Sequence, residues 1–371
     1  MSFSPDEIAR YQRHLSLAGF GPEAQAKLKA GRVLVIGAGG LGCPALLYLA
    51  AAGVGKITLV DADVVDVSNL QRQVLYTTAD AGQPKAAAAA RRLRALNPLI
   101  EVCPVEARFS RDNALALVAA HDVVVDGSDN FSTRYLANDA CVLADRPLVY
   151  GAIHGYEGQA SVFNWRGGPT YRCLFPEPPA PGTVPNCAEA GVIGVLPGLI
   201  GTVQASEAIK LLTGIGEPLT GRLLLWNALT MTTRTIRFSA DPASRSIREL
   251  PPADYGTTCA VPAKAATDEI AAAGLRAALA GGPALQLIDV REDWERAQGA
   301  IQPSVHAPLG TLETAAAGEV LAAFDPKKPT VVYCAGGMRS LKALGPLRAR
   351  HGFTSILSLS GGYKGWVKSS S

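Results

Sequence analysis

Residues 331–340 read VVYCAGGMRS, an apolar run that ends on Cys334, then two glycines, then Arg339. A strand that turns into a helix at this point aims backbone N–H groups inward, and the helix adds its positive end. Gly336 and Gly337 supply the dihedrals that so tight a ring needs. Such a setting favours a thiolate over a thiol and holds a persulfide anion in the same way. Arg339 is expected to add positive charge. The segment therefore predicts a nucleophilic sulfur rather than a packed cysteine.

A different glycine loop, GAGGLG at 37–42, lies near the other end of the chain. It follows the apolar run GRVLVIG and opens an alanine-rich helix, so its backbone can approach a phosphate at a helix N-terminus. Asp61 closes the next strand, where an acidic side chain can bind ribose hydroxyls. Taken alone, this pattern fits NAD, FAD or a bare strand–helix turn. SNLQRQ at 68–73 and GQPKA at 82–86 change the reading, because they place Asn69, Arg72 and Lys85 just beyond Asp61. Two cations and an amide beside a phosphate loop suit a triphosphate better than a dinucleotide. DGSDNFSTR at 126–134 ends another strand, and Asp129 there is placed to hold Mg²⁺ against those phosphates.

These residues need a scaffold, and the pattern of the chain supplies one. Its 371 residues suggest two domains, and 48% hydrophobic against 18% charged residues leaves ample core material. Residues 1 to about 30 read as amphipathic helix. Strands at 31–37, 56–63, 100–106, 122–128 and 147–153 alternate with helices at 84–96, 111–120 and 131–145. That alternation predicts a Rossmann-like, doubly wound, mainly parallel α/β sheet. Further strands are expected at 159–165, 222–228 and 232–239, with a long apolar helix at 195–213. Residues 241–266, rich in proline, serine and small residues, read as a linker. A second, smaller α/β pattern fills 267–371. The net charge of +3, with scattered basic residues, argues against a nucleic-acid surface. No apolar stretch reaches the roughly 20 residues of a membrane span, and the charged N-terminus does not read as a signal peptide. Seven widely spaced cysteines fit a reducing cytoplasm better than a disulfide framework.

With RYQRH at 10–14, VDADVVDVSNLQRQ at 60–73, GQPKA and DGSDN in place, residues 5–240 resemble the adenylating domain of the ubiquitin-activating superfamily. Within it they are most similar to the molybdopterin-synthase and thiamine-synthesis adenylyltransferases. The resemblance implies ATP-dependent adenylation of the C-terminal glycine carboxylate of a small ubiquitin-like sulfur carrier ending in Gly-Gly. Carried over residue by residue, Gly40, Asp61, Ser68, Asn69, Leu70, Gln71, Arg72, Lys85, Asp129 and Asn130 would bind ATP and its Mg²⁺. Arg13 would reach the phosphates of a partner subunit, which implies a homodimer; Arg10 is the weaker candidate. Acyl-adenylate formation needs alignment of the carboxylate with the α-phosphate and charge neutralisation, with no side-chain nucleophile.

Residues 267–371 resemble the single-domain rhodaneses, through LQLIDVRED, the CAGGMRS loop and SLSGGYKGW with Trp366. Cys334-x4-Arg339 is the shorter ring of sulfurtransferases, where cysteine phosphatases carry one residue more. The resemblance makes Cys334 and Arg339 catalytic candidates. Cys334 would take sulfur from a cysteine desulfurase or thiosulfate and deliver it to the acyl-adenylate, giving a thiocarboxylate. The family also places a cysteine at Cys187, in TVPNCAEAG, that can take the acyl group or a sulfur. Relatives bind zinc through two Cys-x-x-Cys pairs. Here Thr170 stands at the first position, Cys173 is left alone and 239–250 contains no cysteine, which implies no zinc site. Cys43, Cys103 and Cys141 read as core, and Cys259 as inert.

The leading expectation is thus an adenylyltransferase fused to a sulfurtransferase, serving molybdenum-cofactor, thiamine or related sulfur pathways. The alternatives are a dinucleotide-dependent oxidoreductase with an appended rhodanese fold, and a catalytically dead carrier-binding protein. The oxidoreductase has no use for SNLQRQ and GQPKA; the intact ATP motifs and Cys334 speak against the dead protein.

Overall fold

The computed structural model describes residues 2–178, 191–251, 255, 268–281, 285–312, 314–322 and 324–369. The chain divides into two units, Met1–Val261 and Pro262–Ser371.

The first unit is built on an eight-stranded sheet. Its strands are β1 (Arg32–Ile36), β2 (Lys56–Val60), β3 (Glu101–Val105), β4 (Val123–Asp126), β5 (Leu148–His154), β6 (Glu157–Phe163), β7 (Arg222–Asn227) and β8 (Thr232–Arg237). They lie in the order β3-β2-β1-β4-β5-β6-β7-β8. The first five are parallel and the last three antiparallel. Order reverses between β1 and β4, the switch point at which open α/β sheets bind ligands. The central strands are apolar on both faces, as parallel strands covered by helices must be.

Helices flank this sheet and carry the site. α1 (Pro5–Leu15) is started by a capping box between Ser4 and Glu7. Its buried Tyr11 accepts a hydrogen bond from Asn97, and Glu7 pairs with Lys29 at 2.7 Å, so α1 is fastened to its own unit. α2 (Gly21–Ala30) follows it. α3 (Gly42–Ala52) opens at the glycine loop. Beyond the helices Lys85–Leu96, Arg111–Ala119 and Phe131–Ala144, Val195–Thr213 packs across the sheet. There the buried Gln204 donates to Asp126 O at 2.6 Å and Val149 O at 3.3 Å.

The stretch after β8 behaves differently from an ordinary spacer. Arg245 donates to Gly168 O, Leu250 enters the second apolar core, and Tyr255 stacks on Tyr135 while hydrogen-bonding the buried Asp139. Residues 241–251 and Tyr255 thus pack on the first unit.

The second unit has a five-stranded parallel sheet in the order β11-β10-β12-β13-β9. The strands are β9 (Glu269–Ile270), β10 (Gln286–Asp289), β11 (Val305–His306), β12 (Thr330–Tyr333) and β13 (Ile356–Leu359). Two apolar clusters cover its faces. β12 feeds the cysteine loop into the helix Met338–His351, as the sequence predicts.

Candidate functional site

In the first unit the glycine loop leaves β1 at Ile36 and enters α3 at Gly42. A side chain on Gly42 would overlap the carbonyl oxygen of Gly37, so only glycine permits this turn. Asp61, at the end of β2, accepts from Ala38 N and Asp63 N, both at 2.8 Å, and so ties the loop to the neighbouring strand. Burial raises the pKa of this carboxyl above its ordinary value.

The cleft over the carboxyl ends of β1, β2 and β4 is lined by Gly40, Asp61, Arg72, Lys85, Asp129 and Asn130. The Lys85 ammonium is almost buried, with 8% of its side chain exposed, and meets Asp63 at 3.0 Å. Asn130 caps the helix Phe131–Ala144, its Oδ1 accepting from Thr133 N at 2.9 Å. That contact fixes the turn on which Asp129 stands exposed.

Ser68, Asn69, Leu70 and Gln71 do not line the cleft. They build the turn that presents Arg72. Asp66 accepts from Ser68 N, Asn69 O accepts from Arg72 N and Gln73 N, and Arg72 donates to Ser68 O at 3.2 Å. Leu70 packs against the first core. Arg13 is exposed on α1 and does not line the cleft, and Arg10 is engaged with Leu96 O.

Polar lining residues not singled out by sequence include Asp63, Gln73, Arg108, Ser128 and Arg134. Arg134 is buried, its guanidinium 5.5 Å from the Phe131 ring and 5.6 Å from Tyr150. Its position at the end of DGSDNFSTR, three residues inside a helix that starts at the switch point, was the available signal. Beneath Ser128 lies Asp126, fully buried, with Oδ1 accepting from Ser128 N and Oγ. Its Oδ2 has no hydrogen-bond partner, and burial raises its pKa.

The other cysteines divide. Cys43 and Cys141 are fully buried, and burial pushes Cys43 up to about 12. Cys103 departs from the core reading: it is half-buried near the sheet edge and donates to Glu101 at 3.1 Å. β3 is the outermost strand, so one of its faces is only partly covered. Cys187 and Cys259 lie outside the described residues.

Cys173 sits in a corner where Thr170 and Cys173 meet Asp241 and Ser244. Its sulfur takes Thr170 N and Asp241 N, each at 3.3 Å, Ser244 Oγ at 3.1 Å and Thr170 Oγ1 at 3.7 Å. Burial alone would raise this thiol, but these hydrogen bonds outweigh it and leave its pKa below the ordinary value. The spacing is that of two paired x-x motifs, 170/173 and 241/244, yet only one position supplies a thiol. Backbone N–H groups donate to the sulfur and two hydroxyls lie against it, where a zinc ion would need thiolates. The set does not fit zinc, and among the described residues no group of three or more His, Cys, Asp or Glu could hold a metal.

In the second unit Cys334 is 1% exposed, and its Sγ accepts from Gly337 N at 3.1 Å and Ser340 Oγ at 3.5 Å. The terminal Gly361-Gly362 turn braces the loop from behind. Tyr363 N donates to Cys334 O at 2.7 Å and Lys364 N to Ala335 O at 3.1 Å. A side chain on Gly362 would overlap Cys334 O. Asp289 and Arg291, both buried, form a fork that also engages Gly299 O. Arg339 differs from expectation. Its two terminal nitrogens bind the two oxygens of Glu295, each at 2.6 Å, so its hydrogen bonds and most of its charge go to that carboxylate, with a weaker through-space attraction to Cys334.

Comparison with known proteins matches a family to each unit. The ThiF family model matches residues 11–246, and the rhodanese-like domain model matches residues 271–369. A probable adenylyltransferase/sulfurtransferase, MoeZ, of Mycobacterium tuberculosis is 47% identical over 377 residues, covering 99% of this chain and 94% of the relative. A sulfur carrier protein adenylyltransferase of Thermus thermophilus is 53% identical over 247 residues, covering 65% and 91%. The adenylyltransferase and sulfurtransferase MOCS3 of Arabidopsis thaliana is 38% identical over 392 residues, covering 98% and 84%. Among solved structures, E. coli MccB matches with a TM-score of 0.58 at 22% identity, over 67% of this chain and 75% of MccB, a likeness of fold.

Proposed function

The chain belongs to the ThiF family and continues into a rhodanese-like domain, and from that premise we propose how its residues divide the chemistry. It is a sulfur-carrier adenylyltransferase and sulfurtransferase. The first unit uses ATP to adenylate the C-terminal glycine carboxylate of a small ubiquitin-like carrier, and the second passes persulfide sulfur to the activated acyl group. The product is a carrier thiocarboxylate.

In our reading the glycine loop and Gly40 take the phosphates, Asp61 the ribose, and Arg72 and Lys85 the charge that develops as pyrophosphate leaves. The exposed carboxylate of Asp129 would hold Mg²⁺, a hard cation that favours oxygen ligands. The ion would supply charge neutralisation there. Arg13 acts in trans across a homodimer, and no zinc is needed. Cys187 accepts the acyl group or sulfur, an assignment that rests on sequence alone. The site of action is the cytoplasm, where thiols stay reduced, and the carrier's sulfur goes on to molybdenum-cofactor or thiamine assembly.

One observation carries this reading: Arg72, Lys85 and Asp129 converge on a glycine loop in the same chain that holds Cys334 under two hydrogen-bond donors. The test separates the halves. Cys334→Ala should keep carrier-dependent ATP–pyrophosphate exchange near wild type and abolish thiocarboxylate formation. Asp129→Ala should lose exchange while Cys334 still loads with sulfur from a persulfide donor. Wild-type thiocarboxylate output from Cys334→Ala would sink the proposal.

A further inference from the structure

The Arg339–Glu295 fork bears on which sulfur donor Cys334 can use, given the reading above that Cys334 is a sulfur acceptor. Thiosulfate is a dianion. For it to load the loop, the Cys334 thiolate must form a bond to the sulfane sulfur while the S–S bond of thiosulfate breaks and sulfite leaves with the electron pair. Three negative charges converge in that transition state, and a cation must offset them. A perthiol on a protein poses a smaller demand. The thiolate attacks its terminal sulfur, the donor's own S–S bond breaks, and a cysteine thiolate of the donor leaves.

The loop itself offers the sulfur neutral donors, Gly337 N and Ser340 Oγ. Its cation, Arg339, is spent on Glu295 through two hydrogen bonds of 2.6 Å. Glu295 is well placed for this. Only 11% of its side chain is exposed, and it also accepts from Glu292 N at 3.0 Å, so it is held on its own helix turn rather than recruited from solvent. Nearby arginines are committed too. Arg291 is forked to Asp289, and Arg296 donates to Asp289, Ser304 Oγ and Ser304 O. Lys364, whose amide braces Ala335, leaves its side chain in solvent, where charge is screened.

We propose that Glu295 is a donor-selecting residue: by occupying both terminal nitrogens of Arg339 it withholds the loop's cation from small anionic donors, so that Cys334 takes its sulfur from a perthiol presented on a protein. Glu295 acts through Arg339 and touches neither the sulfur nor the donor.

Glu295→Gln tests this on the full chain. The amide keeps the shape and one acceptor for Arg339 but removes the charge. Its kcat/KM with thiosulfate and cyanide should rise about tenfold over wild type, carried by a lower KM and weakened by added salt. Sulfur loading of Cys334 from a cysteine desulfurase supplied with cysteine should stay within about twofold. Glu295→Asp, which keeps the charge, should hold thiosulfate turnover near wild type. A purely structural role would lower both donors together and lower the melting temperature, and that result overturns the proposal. So does an unchanged thiosulfate KM in a folded Glu295→Gln, or a wild type that uses thiosulfate as efficiently as the desulfurase. Failure of wild-type Cys334 to load from either donor would take down the sulfurtransferase reading itself, and the Glu295 proposal with it.

Discussion

Asp289 and Arg291 are 0% and 2% exposed and meet through hydrogen bonds of 2.7 and 2.9 Å. A buried charge tolerates burial only while its partner is present, so removing one costs about 3–5 kcal/mol. Asp289→Asn should therefore lower the unfolding free energy of the second unit by that order, read from urea denaturation, without touching ATP–pyrophosphate exchange. The pH sign follows from the same pair. Burial raises the Asp289 carboxyl, but Arg291 and the Tyr333 hydroxyl together more than offset it, and the net pKa lies below the ordinary value. Its stabilisation is complete above that ordinary value and fades as pH falls through the lowered one. Wild type should lose stability below about pH 4, and Asp289→Asn should show a flatter profile there. In the first unit, Gly42→Ala pushes a methyl into the Gly37 carbonyl. Displacing the loop by about 1 Å should cost on the order of 100-fold in exchange activity while the fold survives. Cys334, Arg72, Lys85 and Asp129 were legible in the sequence because each ends a strand or opens a turn at a recognisable spacing. Arg134 and Asp63 were not, because their place in the cleft follows from helix phase and from the Lys85 contact, which spacing does not reveal. Glu295 was equally hidden, lying 44 residues from Arg339.

At the scale of elements, the alternation of strands and helices foretold both sheets, because a periodic apolar pattern must bury itself. The stretch after β8 was harder. Its proline and serine content reads as a spacer, yet three anchors dock it: the 241–244 turn, Leu250 and Tyr255. The 241–244 turn gives the sharpest test of the element. In a tetrahedral zinc site with Zn–S near 2.3 Å, neighbouring sulfurs lie about 3.8 Å apart. Thr170 Oγ1 and Ser244 Oγ already lie 3.7 and 3.1 Å from the Cys173 sulfur. The corner keeps the spacing of a metal site and fills it with hydrogen bonds. Purified wild-type protein should contain no stoichiometric zinc, and a chelator should leave its melting temperature unchanged. The triple variant Thr170→Cys, Asp241→Cys, Ser244→Cys should bind about one zinc per chain and become chelator-sensitive. Zinc in the wild type would show that other side chains had taken over. A triple variant that stays metal-free would show that the backbone here has lost the geometry.

For the molecule as a whole, the decisive residue is Arg13. The capping box, the Glu7–Lys29 pair and Tyr11–Asn97 fasten α1 to its own unit. Arg13 is left on the exposed face of that helix and does not line its own cleft. In the homodimer proposed above, Arg13 would reach the triphosphate of a second copy, and a closed two-fold pair would supply that contact reciprocally. The segment around the Arg72 turn leaves Val64, Val67 and Val74 more than half exposed, apolar surface suited to being covered by a partner. Sedimentation should show a dimer. Arg13→Ala and Lys85→Ala should each abolish carrier-dependent ATP–pyrophosphate exchange as homodimers. Mixed in equal amounts and allowed to exchange subunits, half of the dimers are hybrids. In each hybrid, one cleft combines an intact Lys85 with the partner's intact Arg13, and the other lacks both. Exchange should therefore recover to about a quarter of the wild-type rate. Labelled subunits prove that the exchange has occurred, so the result is decisive either way: about a quarter places Arg13 across the interface, and no recovery from demonstrated hybrids confines it to its own chain.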